Sequence, residues 1–117
     1  MEYTNIKLER ENRAATIRLN RPDALNALSM ELLEEFSHAV CSIEQDESLK
    51  ALVIRGEGRA FCAGADLMFF DSSHEGLARL NPYVQRLNGC LFQMEEPPIP
   101  TIAVVHGFAL AGGWNWR

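Results

Sequence analysis

The sequence lacks the cysteine spacing of a metal site or a redox motif. The three cysteines, Cys41, Cys62 and Cys90, are an odd number in 117 residues and form no CxxC pair. This spacing argues against a disulfide framework and against a zinc site. We interpret all three as reduced thiols, mostly buried, and expect no metal centre.

Long apolar runs and clusters of positive charge are also absent. No apolar stretch approaches the roughly 18 residues of a membrane span, and residues 1–10 have no apolar signal-peptide core. The formal net charge is -5 and no Lys/Arg cluster occurs, so the sequence lacks the electrostatic pattern of nucleic-acid binding. We therefore expect a cytoplasmic protein that binds neither membranes nor nucleic acid. Its length allows one modest hydrophobic core, so we expect one domain or part of one.

Apolar periodicity predicts a hairpin followed by a helix. Residues 3–10 and 14–20 alternate apolar and polar side chains around a turn-prone segment, which is typical of paired strands with one covered face. Residues 20–29 read as a loop. Ser29 is placed to cap a helix ending near Gln45, whose apolar residues recur at three and four: Leu32, Leu33, Phe36, Val40 and Ile43.

Two further strands and one helix are predicted after this point. Residues 50–56 are apolar, β-branched and end in glycine, as in a buried strand parallel to an earlier one. Residues 101–107 are nearly continuously apolar, as in a central strand covered on both faces. Between them we predict a loop from Gly56 to about Asn81 and a helix from Pro82 to Glu96, with Asn81 as N-cap. The apolar face of that helix should include Leu77, Leu80, Val84, Leu87, Leu91 and Met94. The pattern is α/β.

Both buried strands lead into runs of very small residues, "GRAFCAGADL" (58–67) and "HGFALAGG" (106–113). If the strands are parallel neighbours, these loops lie at the same sheet edge, where open α/β sheets usually bind ligands. Two such loops can present two backbone N–H groups to one oxygen, an oxyanion hole that larger side chains would obstruct. Glycine and alanine in loops also serve turns or tight packing, and periodicity alone leaves both interpretations open.

The segments "NRPDALNALS" (20–29), "GRAFCAGADL" and "HGFALAGG" closely resemble, in order and spacing, the enoyl-CoA hydratase/isomerase family of the crotonase superfamily. The likeness covers residues 3–113. It implies the N-terminal part of a crotonase-type ββα spiral fold, incomplete in this chain, with residues 1–113 as part of that domain. It also implies an acyl-CoA or enoyl-CoA ligand and no cofactor other than the coenzyme A that is part of this ligand. A role in fatty acid metabolism and an intact protein that forms homo-oligomers are implied as well.

The resemblance also assigns residues to the site. The thioester carbonyl would be held by the backbone N–H groups of Ala65 and Gly112, an oxyanion hole in which losing one donor typically costs about 10²–10³ in rate. The residues implied beside the CoA moiety are Ala24 and Leu25, and those implied around the pantetheine and thioester are Ala63, Asp66 and Leu67.

The sequence departs from the family pattern at Asn115. The first catalytic glutamate of the hydratases normally lies three residues after the oxyanion glycine, where this chain has an amide that cannot exchange protons in the useful range. The second glutamate is expected beyond Arg117. We therefore expect no complete catalytic set here: the chain is either part of a hydratase (a lyase) or isomerase, or a non-catalytic CoA-ester-binding or interaction module derived from that family.

Residues 114–117, "WNWR", can be explained by a one-base shift of reading frame. With one choice of synonymous codons, the family-like sequence Gly-Leu-Glu-Leu-Ala is written GGG CTG GAA CTG GCG C. Shifted by one base, it reads GGC TGG AAC TGG CGC, or Gly-Trp-Asn-Trp-Arg, as at 113–117. We interpret 114–117 as a frameshifted tail and Asn115 as a displaced glutamate codon.

Other chemically active side chains are interpreted as structural or solvated. His38 falls on the polar side of the first helix, His74 in a polar loop, and His106 at a strand end, where a packed or hydrogen-bonded role is expected. Asp66 is expected to fix its turn, and Cys62 to serve packing because it has no cationic neighbour in sequence. Three residues are candidate phosphate contacts, at least two of them expected to be surface charges: Arg21, Arg55 and Arg59.

Overall fold

The computed structural model describes residues 2–64, 74–95 and 98–106, and the backbone of 108–109; for 74–79 it describes the backbone alone. The described strands and helices alternate in mixed α/β order, which confirms the predicted fold class. The elements are β1 (Ile6–Glu11), β2 (Ala14–Leu19), a 3-10 turn (Pro22–Ala24), α1 (Met30–Glu44), β3 (Ala51–Gly56), β4 (Ala60–Cys62), α2 (His74–Glu95), β5 (Thr101–Ala103) and β6 (Phe108–Ala109).

Strands β1 and β2 form the predicted antiparallel hairpin, with Ile6 opposite Leu19 and Glu11 opposite Ala14. The two connecting residues, Asn12 and Arg13, both have positive φ (52° and 65°). Two consecutive left-handed residues are typical of the hairpin turn whose twist matches that of the strands. The hairpin prediction is therefore confirmed.

The remaining strands of this sheet run parallel to β2. Strand β3 pairs with β2, β5 pairs with β3, and the described sheet has the order β1-β2-β3-β5. Helix α1 makes the crossover between β2 and β3, as the parallel arrangement requires. The carboxyl ends of β3 and β5 consequently lie at the same edge of the sheet.

The core lies between this sheet and α1. Strand β2 buries every second residue, Ala15, Ile17 and Leu19, each 0% exposed, as expected for a strand with one face on the core. Helix α1 begins as predicted, because the Ser29 hydroxyl oxygen accepts the Leu32 N–H at 3.1 Å. The side chains that α1 contributes to the core are Leu32, Leu33, Phe36, Ala39, Val40 and Ile43.

The predictions for residues 56–96 are partly wrong. The expected loop contains β4 and the start of α2, which runs from His74 through Pro82 instead of beginning there. Proline fixes φ near the helical value, so inside a helix it can cost a hydrogen bond and bend the axis without ending it. The predicted apolar face is partly confirmed, since Leu87, Leu91 and Met94 pack against the core. Leu80 and Val84 are instead 37% and 40% exposed, and Tyr83 and Cys90 are buried.

Strand β5 is shorter and more exposed than predicted. It spans three residues rather than 101–107, and it is the edge strand of the described sheet. Ile102 is 51% exposed and Val105 47% exposed. The expectation of a central strand covered on both faces is therefore wrong for this chain, since within the described residues no strand lies beyond β5.

Candidate functional site

The loop formed by residues 20–29 folds around the side chain of Asn26, which is 0% exposed. Its Oδ1 accepts the Arg21 backbone N–H at 2.7 Å, and its Nδ2 donates to the carbonyl oxygens of Glu57 and Ala60, each at 2.8 Å. Leu25 and Asn26 both have positive φ, 53° and 57°. Such a conformation is unusual for leucine, and here Leu25 caps the 3-10 turn by donating its N–H to the Pro22 carbonyl.

The first small-residue loop is joined to this segment by two backbone hydrogen bonds. The Ala63 N–H donates to the Leu25 carbonyl at 3.0 Å, and the Leu28 N–H donates to the Gly64 carbonyl at 2.8 Å. Gly64 has φ +94°, a conformation that favours glycine. The structure thus brings Leu25 and Ala63, two of the residues implied for ligand binding, into direct contact.

The second small-residue loop begins beside the first. Strands β4 and β6 pair in parallel, with Ala60 opposite Phe108 and Cys62 opposite Ala109. The Phe61 N–H also donates to the His106 carbonyl at 2.9 Å. The prediction that the two loops start at a common edge is therefore confirmed by the backbone pairing.

Glycine at position 56 allows the chain to turn from β3 into β4. A Cβ at Gly56 would lie 2.6 Å from the Ala60 carbonyl oxygen, closer than a carbon and an oxygen can approach. The close approach of Gly56 to Ala60 therefore fixes the point at which the chain leaves β3 and enters β4.

Only part of the predicted site falls within the described residues. Ala24 and Leu25 end and follow the 3-10 turn, and Ala63 follows β4. The other implied positions lie outside the described residues: Ala65, Asp66, Leu67, Gly112 and Asn115. The two proposed oxyanion donors are among them.

Two of the three histidines, His106 and His38, have the roles that the sequence predicted. His106 Nε2 lies 2.8 Å from the Gly58 carbonyl oxygen, which can only accept, so this nitrogen carries the proton. His38 is exposed, and its Nδ1 lies 2.7 Å from the Tyr3 hydroxyl. His74 is not in a loop as predicted but is the first residue of α2.

Cys62 is a buried, protonated thiol. Burial raises its pKa to about 11, partly offset by the Gly64 N–H that donates to its sulfur at 3.3 Å. Cys90 is likewise buried with a pKa of about 11, again because burial disfavours the thiolate, whereas Cys41 is exposed. All three are free, and the interpretation of Cys62 as a packing residue is confirmed.

The candidate phosphate contacts separate into one loop residue and two surface residues. Arg21 Nη1 donates to the Ala27 carbonyl at 2.6 Å and so helps to close the loop. Arg55 and Arg59 are exposed. Sequence reasoning did not identify Asn26, although asparagine's tolerance of positive φ and its local hydrogen bonding were available signals.

Neither a metal site nor a membrane-spanning helix is found where the structure can be described. Within those residues, no group of three or more His, Cys, Asp or Glu side chains is placed to hold a metal ion. Within the same ranges, neither helix has the length and apolar character needed to cross a bilayer.

The ββα order, the parallel pairing and the two adjacent small-residue loops define the N-terminal part of a crotonase-type fold. An enoyl-CoA hydratase structure from Bacillus anthracis superposes with a TM-score of 0.86 at 31% identity, covering 94% of this chain and 43% of that one. One from Mycobacterium smegmatis gives 0.83 at 36% identity, covering 95% of this chain and 43% of that one.

The sequence comparisons identify the family. The profile of the enoyl-CoA hydratase/isomerase family matches residues 9–116, and the chain belongs to that family. It is 39% identical over 115 residues to the crotonyl-CoA hydratase of Syntrophomonas wolfei, covering 97% of this chain and 43% of the relative. The chain thus spans less than half the length of the relatives it matches.

Proposed function

We propose that this chain carries the acyl-CoA-binding and carbonyl-binding part of an enoyl-CoA hydratase or isomerase. The observation that carries the proposal is the joining of three segments by backbone hydrogen bonds: Leu25 with Ala63, Leu28 with Gly64, and β4 with β6. These contacts join the implied CoA-binding loop to the described residues at the start of both small-residue loops. The similarity to a crotonyl-CoA hydratase favours a short enoyl-CoA as ligand.

In this proposal, the backbone N–H groups of Ala65 and Gly112 hold the thioester oxygen. Two preorganised donors stabilise the negative charge that develops on that oxygen when an enolate forms. Ala24, Leu25, Ala63, Asp66 and Leu67 would surround the coenzyme. Cys62 is buried within the first small-residue loop, and its raised pKa keeps the thiol a neutral packing group rather than a competing nucleophile.

The remaining attributes follow from family membership and are also proposals. The intact protein would be a cytoplasmic homo-oligomer that uses no cofactor beyond the CoA of its substrate. It would hydrate or isomerise enoyl-CoA with two glutamates as general acid and base, each contributing roughly 10²–10⁴ in rate. With Asn115 at the first of these positions, this chain should bind the thioester without turning it over.

Calorimetric titration with crotonyl-CoA tests binding, with CoA and crotonic acid as the matched ligands. We expect crotonyl-CoA to bind more tightly than either, because only the thioester engages both the loop and the carbonyl donors. Absence of binding, or equal affinity for CoA and crotonyl-CoA, would overturn the proposal. Hydration of crotonyl-CoA by the same sample should equal the background rate.

Asn115 favours a second candidate, a non-catalytic CoA-ester-binding module. The nucleotide sequence around codons 113–117 separates the two. A one-base change of frame that encodes glutamate at 115 and continues with family-like sequence supports the hydratase proposal. Unrelated sequence in every frame would favour the module and contradict the interpretation of 114–117 as a frameshifted tail.

A further inference from the structure

We propose that Asn26 is a positioning residue: its carboxamide fixes β4 against the proposed acyl-CoA-binding loop. This inference rests on the proposed function. Asn26 is 0% exposed, so water does not compete for its hydrogen bonds. All three of its contacts are to backbone groups, at 2.7, 2.8 and 2.8 Å, which makes it a link between chain segments rather than between side chains.

The contacts of Asn26 close two turns with one side chain. Oδ1 holds the Arg21 N–H at the start of the 3-10 turn. The two hydrogens of Nδ2 are directed to Glu57 and Ala60, which lie on either side of Gly58 in the β3–β4 connection. An aspartate would keep the first contact and lose both others, since a carboxylate has no donor.

Adjacent residues of the loop therefore hold β4 at both ends. Asn26 binds the Ala60 carbonyl at the first residue of the strand, and the Leu25 carbonyl accepts the Ala63 N–H just beyond its last residue. A shift of β4 by one residue, about 3.3 Å, would break both contacts. Ala65, the proposed oxyanion donor, follows Ala63 by two residues in the sequence.

The left-handed conformation of Leu25 and Asn26 directs the Leu25 carbonyl and the Asn26 carboxamide toward β4. Residues with positive φ reverse the local course of the chain, so that the Leu25 carbonyl and the Asn26 side chain can both reach β4. Asparagine adopts this conformation more readily than most residues. Replacing Asn26 by glycine keeps the backbone conformation accessible and removes only the carboxamide.

The test compares Asn26→Gly with Asn12→Gly in the 117-residue chain. Asn12 is also left-handed but exposed in the β1–β2 turn, so it controls for the change to glycine. Amide hydrogen exchange at Ala63 and Leu28 measures the grip on β4, and the amides of β1 and β2 report the rest of the fold. Calorimetry with crotonyl-CoA measures binding.

We expect Asn26→Gly to lower protection at Ala63 and Leu28 by about tenfold or more and to weaken crotonyl-CoA binding to a similar extent. The β1–β2 amides and every property of Asn12→Gly should change less than about threefold. Asn26→Asp, which preserves shape, should reproduce the local loss. This variant provides the comparison should the glycine variant fail to fold.

Unchanged protection at Ala63 and Leu28 would overturn the positioning role, as would an equal loss of protection throughout the chain or failure of both variants to fold. A local loss of protection in a chain whose unsubstituted form does not bind crotonyl-CoA would have a different meaning. It would refute the proposed function while supporting the grip of Asn26 on β4.

Discussion

The Leu25 carbonyl accepts the Ala63 N–H at 3.0 Å, which joins two segments that lie 38 positions apart in sequence, from 25 to 63. Neither side chain takes part, so the hydrogen bond requires only a backbone N–H at position 63 and a backbone carbonyl at position 25. Replacing Ala63 by proline removes the donor and should destabilise the fold by about 1–3 kcal/mol. Ala63→Gly keeps the N–H and is the matched control.

Urea unfolding of the Ala63 variants measures this difference. We expect the proline variant to lose the stated free energy of unfolding and the glycine variant to lose less than about 1 kcal/mol. Equal stability of the two variants would show that the hydrogen bond to Leu25 contributes nothing.

Glu35 anchors the N-terminal segment to α1. Its carboxylate accepts the Thr4 and Asn5 backbone N–H groups at 2.7 and 2.9 Å and is 8% exposed. Glu35→Gln replaces one acceptor oxygen with a donor, and the free energy of unfolding should fall by about 1–3 kcal/mol. The exposed neighbour Glu34 provides the control variant Glu34→Gln, expected within about 0.5 kcal/mol of the parent.

Chemical denaturation of these two variants at neutral pH is the measurement. A parent-like midpoint for Glu35→Gln, or an equal loss for Glu34→Gln, would contradict the assignment of Glu35 as the anchor.

The Ser29 cap should be worth about 1 kcal/mol. Its hydroxyl oxygen satisfies the Leu32 N–H, which has no partner inside the helix, and replacing such a cap by alanine typically costs this amount. Ser42→Ala, later in α1, is the control. Thermal and urea unfolding should rank Ser29→Ala below Ser42→Ala, and the reverse order would refute the capping role.

Thiol labelling should separate Cys41 from the two buried cysteines. Burial raises the pKa of Cys62 and of Cys90 to about 11, so at pH 7 both are protonated as well as covered. Iodoacetamide should therefore label exposed Cys41 first, as read by peptide mass spectrometry. Cys41→Ser should abolish the rapid reaction; equal labelling of Cys62 would contradict its burial.

Periodicity predicted the elements whose pattern is local. The hairpin and the cap of α1 depend on alternation and on one serine, and both are confirmed. Pro82 misled the prediction because Asn81-Pro82 matches a helix start, whereas α2 continues through it. The fold of the second half of α2 depends on contacts with α1, such as the Cys90 sulfur with the Leu33 carbonyl at 3.4 Å, which no local pattern encodes.

In the candidate site too, local motifs could be recognised from the sequence, whereas contacts between distant segments could not. The family resemblance implied ligand-binding roles for Leu25 and Ala63, which stay a prediction, but it could not indicate that their backbones are hydrogen-bonded to each other. Asn26 escaped notice because its partners are carbonyl oxygens at Glu57 and Ala60. Backbone acceptors have no residue type, so a sequence cannot show which side chain binds them. The predicted common edge depended only on parallel strand order, and the pairing of β4 with β6 confirms it where the two loops begin.

We propose that two backbone donors polarise a thioester carbonyl, and infrared spectroscopy of bound crotonyl-CoA labelled with ¹³C at that carbonyl tests this proposal most directly. Hydrogen bonds to the oxygen weaken the C=O bond, so we predict a lower stretching frequency in the complex than for free crotonyl-CoA in water. Ala65→Pro should reduce this shift, because only the Gly112 donor remains, and Ala65→Gly, which keeps the N–H, should retain it in full. A bound carbonyl at the frequency of the free thioester, or an undiminished shift in Ala65→Pro, would contradict the involvement of these donors.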